Sequence, residues 1–202
     1  MSSLGLAPGP IERARADLAV IALFAGERPL RGAAGRIDWR LCGRLSHLCA
    51  AGRVIGEPGC AVLIPGGGGV RAPRVLGLGL GARHALDAAR WERWVDDALA
   101  RARALRARQV ALALPEAGDA QGERLAALAK SIAVTEGGLD ILLAPEPGEI
   151  ALVTEWLRAA ARRARPADLE IRAPGEGRDP QGASPGAGAA ESSHASAGRS
   201  TR

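Results

Sequence analysis

Tyrosine is absent from the 202 residues, phenylalanine occurs once, as Phe24, and the other aromatics are Trp39, Trp91, Trp94 and Trp156. A surface that stacks several bases is nearly excluded by that poverty, because such recognition needs exposed rings. The core must be built from Leu, Val, Ile and Ala. Lysine is equally scarce: Lys130 is the single lysine among 27 basic residues, so any Schiff-base or P-loop chemistry rests on that position. Cys42, Cys49 and Cys60 form no CxxC pair and no disulfide framework, and read as reduced thiols of a cytoplasmic protein. His47 and His84 have no partner at metal-ligand spacing, and Ser46–His47 has no third group to make a triad. No metal and no cofactor are expected. The N-terminus lacks a basic stretch followed by a clean apolar one, and the longest apolar runs are strand-sized. Neither a signal peptide nor a membrane span is expected.

What is present suits a single domain with a tail. Hydrophobic residues make up 47% of the chain, enough for a sizeable core. The formal net charge of +5 bears on solubility and non-specific anion binding rather than on fold. Residues 173–202 are rich in Gly, Pro, Ser and Ala without apolar periodicity, a composition that predicts disorder. Residues 1–16 read as a loose lead-in, which leaves 17–172 as the domain.

Within those limits strand and helix patterns alternate. Short apolar runs at Asp17–Ala25, Cys60–Pro65, Arg74–Leu80, Gln109–Leu114, Leu139–Ala144 and Asp168–Arg172 read as strands. Helical spacing marks Asp38–Gly52, capped by Asp38 and carrying Cys42 and Cys49 on one face. It also marks Asp87–Ala107, Gly122–Glu136 and Glu149–Arg165. Alternation with strands apolar on both faces predicts a three-layer α/β domain, its sheet mainly parallel or mixed and its helices on both faces.

Two stretches invite a ligand. Gly66, Gly67, Gly68 and Gly69 form a four-glycine turn with Arg71 beside it, a candidate backbone nest for phosphate. Gly77, Gly79 and Ala82 fit GxGxxG/A after a strand, with Gly81 inside it, but the helix starts too late and no acidic strand end follows. Arginines gather at two helix ends, Arg101, Arg103, Arg106 and Arg108 at one, Arg158, Arg162, Arg163 and Arg165 at the other. Cations there offset the helix dipole. As a nucleic-acid surface, Arg101, Arg108, Arg162 and Arg163 would give backbone contacts without base readout, and the sequence alone does not place the two helix ends side by side.

The order of segments resembles a known family. DLAVIALFAGERPL (Asp17–Leu30), AAGRVIGEPGCAVLIP (Ala50–Pro65), RVLGLGLGARHALDAARWERWVDDALARA (Arg74–Ala102), QVALALPE (Gln109–Glu116) and AKSIAVTEGGLDILL (Ala129–Leu143) are similar to the N-terminal domain of the leucyl aminopeptidases. The resemblance covers residues 17–143 and implies a macro-like α/β fold without catalytic residues of its own. In that family a second domain holds two metal ions and an Asn-Thr-Asp-Ala-Glu-Gly-Arg motif. No such string occurs here, and Asp140 and Glu146 read as isolated carboxylates. The expectation is a non-catalytic binding or regulatory module that docks onto another protein or its own copy, without peptidase activity or membrane contact. The alternative is a nucleotide- or ADP-ribose-type ligand, or non-specific nucleic acid.

Overall fold

In the computed structural model, the described residues are 2–115, 120–134, 138–163 and 169–172. Seven strands form one sheet: β1 (Ser2–Leu6), β2 (Leu18–Phe24), β3 (Ala61–Pro65), β4 (Arg74–Gly81), β5 (Gln109–Ala113), β6 (Asp140–Ala144) and β7 (Leu169–Ile171). Their order is β3-β4-β2-β5-β6-β1-β7. Every neighbouring pair is parallel except β3 with β4, which form an antiparallel hairpin at one edge. The helices are α1 (Gly32–Arg40), α2 (Arg44–Ala50), α3 (Ala88–Ala104), α4 (Gln121–Ala133) and α5 (Ile150–Arg163). The expected α/β architecture, mainly parallel with helices on both faces, is the architecture observed.

Strand alternation sorts the core into two layers. Leu18, Val20, Leu76, Leu78, Val110, Leu112, Ile141 and Leu143 point to the face covered by α3, α4 and α5. Ala19, Ile21, Leu23, Val75, Ala111 and Ala113 point to the opposite face, under α1, α2 and the turn at Ile11–Arg13. A parallel sheet needs both covers because its connections run across its faces. In α3 the Asp87 carboxylate accepts the Arg90 N–H at 2.7 Å and starts the helix. Its buried stripe stacks Trp91 on Trp94, ring centroids 5.2 Å apart. Both indole N–H groups are satisfied, by the carbonyls of Arg124 and Leu78.

Two sequence expectations fail here. The lead-in is not loose, because Ser2–Leu6 is an internal strand, paired on one side with β6 and on the other with β7. Its Ser and Gly residues look like loop, yet only alternate positions need to be apolar: Leu4 and Leu6 enter the core, and Ser3 hydrogen-bonds Asp140 on the other face. The helix expected at Asp38–Gly52 is two helices. Gly43, at φ 78°, breaks the chain, and the Asp38 carboxylate, in the last turn of α1, accepts the Ser46 N–H and hydroxyl to start α2. Cys42 is therefore exposed while Cys49 is buried, not one face. The expected disordered tail, 173–202, lies outside the described residues. Among the described residues no helix is long and apolar enough to cross a membrane.

Asp17 braces the end of the sheet where β2 and β5 begin. Its Oδ2 accepts the N–H groups of Arg108 and Gln109 at 2.8 and 3.0 Å. Those bonds, helped by the charges of Arg74 and Arg108, outweigh burial and hold its pKa below the usual carboxylate value. A depressed folded pKa contributes stability that is complete above the unfolded value of ~3.9 and is lost as pH falls through the folded one. Asp17→Asn should cost about 1–2 kcal/mol at neutral pH, and urea denaturation should show that difference shrinking below about pH 4.

Candidate functional site

The chain order reverses at β2, which has β4 on one side and β5 on the other. In an open parallel sheet the crevice beyond the carboxyl ends at such a point is where ligands bind. A cleft of about 330 Å³ opens there. Ala22 and Phe24 line it from the end of β2, Ala113, Leu114 and Pro115 from the end of β5, and Glu146 from beyond β6. Its roof is the segment Glu27–Ala34, which leads into α1, and Arg83 reaches in from beyond β4.

Four charged groups govern the cleft. The Arg83 guanidinium lies 3.9 Å from the centre of the Phe24 ring and pairs with Glu27 at 2.9 Å. Arg31 is exposed at the rim. Glu146, 7% exposed, is gripped by both terminal nitrogens of Arg36, at 2.6 and 3.3 Å. On its other side Arg36 faces Glu12, also 7% exposed, with Nε 3.5 Å from Oε2. Burial alone would lower the Arg36 pKa, but the hydrogen bond and charge of Glu146, with Glu12, raise it. One guanidinium thus hydrogen-bonds one buried carboxylate and faces a second by charge alone, Arg36 Nε and Glu12 Oε2 both being buried without a hydrogen-bond partner. Glu146 and Asp140 are not isolated, as their sequence surroundings suggested: the partner of Glu146 is 110 residues away and that of Asp140 is Ser3.

The sequence-predicted ligand residues lie elsewhere. Gly66–Gly69 form the β3–β4 turn, at the opposite end of β4 from the cleft. Two of the glycines answer to packing: a Cβ at Gly69 would stand 2.4 Å from the Arg40 carbonyl oxygen, and one at Gly66 2.1 Å from that of Ala72, while Gly67 and Gly68 take positive φ, 60° and 77°. Arg71 is exposed, and its backbone N–H donates to the Glu12 carbonyl. Gly79 lets the loop before β3 cross the sheet, since a Cβ there would lie 1.9 Å from the Glu57 carbonyl oxygen. Gly81, at φ 80°, packs against the Arg90 side chain. None of the seven lines the cleft. Among the described residues no group of three or more His, Cys, Asp or Glu could hold a metal. Ser46 bonds to Asp38.

The helix-end arginines are also redistributed. α3 and α5 pack on the same face of the sheet, not on opposite ones, with α4 between them. Their ends precede β5 and β7, which start at one edge of the sheet three strand spacings apart, about 14 Å. Arg101 is paired with Asp97 at 2.7 Å, Arg108 and Arg162 are exposed, and Arg163 closes α5. Asp17 and Asp140 share that edge, so cations there alternate with carboxylates.

The fold and cleft define a macrodomain-like α/β protein. The chain is similar to the macrodomain of Thermus aquaticus DarG (TM-score 0.58, 17% identity, 73% of this chain and 100% of that one). It is also similar to a macrodomain of Oceanobacillus iheyensis solved with ADP (TM-score 0.53, 12% identity, 77% and 90%). A tomato leucine aminopeptidase mutant matches at TM-score 0.54 and 21% identity, over 70% of this chain but only 32% of that one. No curated protein matches the sequence. The profile of the cytosol aminopeptidase family, N-terminal domain, matches residues 20–136, and the chain belongs to that family.

Glu27, Gly32, Arg36, Arg83 and Glu146 were missed in sequence. The available signal was the Gly-Ala-Ala-Gly stretch at Gly32–Gly35, a helix start placed after a strand. Gly32 has φ 54°, and a Cβ there would lie 2.9 Å from Glu146 Oε1. Gly32→Ala should cost about 1–2 kcal/mol from the left-handed backbone, measured by chemical denaturation.

Proposed function

We propose that this chain is a non-catalytic binding module whose cleft takes a small nucleoside-type ligand. The observation that carries the reading is the cleft at the topological switch point, whose volume suits a small ligand and whose wall offers Phe24 with Arg83 stacked on it. The Oceanobacillus macrodomain, solved with ADP, shares the fold and supports a nucleotide-related ligand by analogy. The reading as a non-peptidase rests on the missing Asn-Thr-Asp-Ala-Glu-Gly-Arg string and on the match to an N-terminal domain. Calorimetric titration with adenosine, ADP and ADP-ribose should give saturable heat for at least adenosine. A leucyl-anilide assay with Mn²⁺ or Zn²⁺ should give no turnover. Silence from all three ligands at millimolar concentration would remove the ligand reading, and turnover lost on chelation would remove the non-catalytic one.

A second reading, docking onto another protein or another copy, has its own support. Trp39, near the far end of α1 from the cleft, is 83% exposed, while Trp91 and Trp94 are core. Its truncation should leave stability within about 0.5 kcal/mol. Sedimentation velocity then decides self-docking: a dimer in the wild type that Trp39→Ser abolishes supports it, and monomers in both remove it. The arginine-bearing edge supports at most non-specific nucleic-acid contact, weakened by salt. Its interleaved carboxylates and lack of aromatics favour no continuous track.

A further inference from the structure

We propose that Glu146 is the specificity-determining residue of the cleft, a built-in carboxylate set beside the helix start that would otherwise favour a phosphate, so that the ligand is neutral or cationic at that point. This rests on the cleft being the ligand site. α1 opens into the cleft at Gly32, and no side chain caps it. The first N–H groups of a helix have no intrahelical acceptor, and its positive end favours an anion. In many folds a phosphate takes that place.

Here a carboxylate of the chain itself stands beside that place. Glu146 Oε1 lies 2.9 Å, and its carboxyl carbon 3.4 Å, from where a Cβ of residue 32 would project. The carboxylate is not free to swing away, since both terminal nitrogens of Arg36 hold it and the side chain is 9% exposed. Arg36 has no charge to spare for an incoming anion, because Glu12 already faces its Nε. The network of Glu12, Arg36 and Glu146 carries one net negative charge beneath the roof of the cleft. Arg83 is committed to Glu27. Arg31, the other cation among the described lining residues, stands exposed at the rim. A diphosphate at the start of α1 would meet the Glu146 charge at contact distance, whereas a nucleoside's uncharged groups would not.

Glu146→Gln keeps the volume and an acceptor for Arg36, and leaves Arg36 and Glu12 as a balanced pair, so the variant is expected to fold. Glu146→Ala is the second neutral variant. Glu92→Gln changes the net charge equally on the exposed side of α3, away from the cleft. The probe is inorganic pyrophosphate, titrated by calorimetry at fixed ionic strength. The expected result is at least tenfold tighter binding by Glu146→Gln, or by Glu146→Ala, than by the wild type and Glu92→Gln. No gain in the Glu146 variants, or an equal gain in Glu92→Gln, would overturn the assignment. Adenosine titrated into the same proteins separates the two claims. Adenosine bound alike by the wild type and Glu146→Gln upholds the nucleoside reading. Adenosine bound by neither, with the pyrophosphate gain intact, removes that reading and leaves the role of Glu146 standing.

Discussion

A parallel sheet cannot leave its connections on one side and its ends anywhere it pleases. Each strand that runs parallel to its neighbour needs a crossover, the crossovers are right-handed, and the helices they carry must cover both faces. Once β2 has β4 and β5 on its two sides, the ends of β2, β4, β5 and β6 are gathered at one edge and the strand starts at the other. Everything else follows from that division. The cleft lies at the carboxyl ends, and the Asp17 brace and the arginine-bearing helix ends lie where the strands begin.

The cleft edge is then held by charge as well as by packing. Arg36 on α1 reaches Glu12, in the turn after β1, and Glu146, beyond β6. Three segments distant in sequence are tied by one side chain. Buried ion networks of this kind contribute little net stability against an apolar alternative, because desolvation offsets the attraction. Their consequence is geometric: the carboxylate of Glu146 has one position, and that position faces the start of α1.

Membership in the N-terminal domain family of the cytosol aminopeptidases and the fold shared with macrodomains describe one scaffold. Scaffold alone does not fix ligand or chemistry. The glycines show why. In sequence Gly66–Gly69 and Gly77–Gly81 look like phosphate loops, but in the fold Gly66, Gly69 and Gly79 are places where two backbone segments pass within contact distance. The same absence of a Cβ serves both purposes, and only the neighbours distinguish them.

Local periodicity determined most of the elements, because a helix or a strand declares which of its own faces is apolar. β2, β4, β5, β6 and α3, α4 and α5 lie close to where their patterns put them. The apolar character of both strand faces also determined the layered α/β class. Position 43 shows the limit: the apolar spacing runs on from Asp38 to Cys49, and nothing in it reveals the turn at Gly43 that splits the helix. β1 shows it again, since a five-residue strand with two serines and a glycine gains its hydrogen bonds from β6 and β7, which are 130 residues or more away. The cleft was decided wholly by tertiary structure. Glu146 and Arg36 are ordinary charged residues in sequence, and become a buried ion pair at the cleft because the strand order brings the ends of β2 and β6 to one edge, where burial removes the water that would have weakened their attraction.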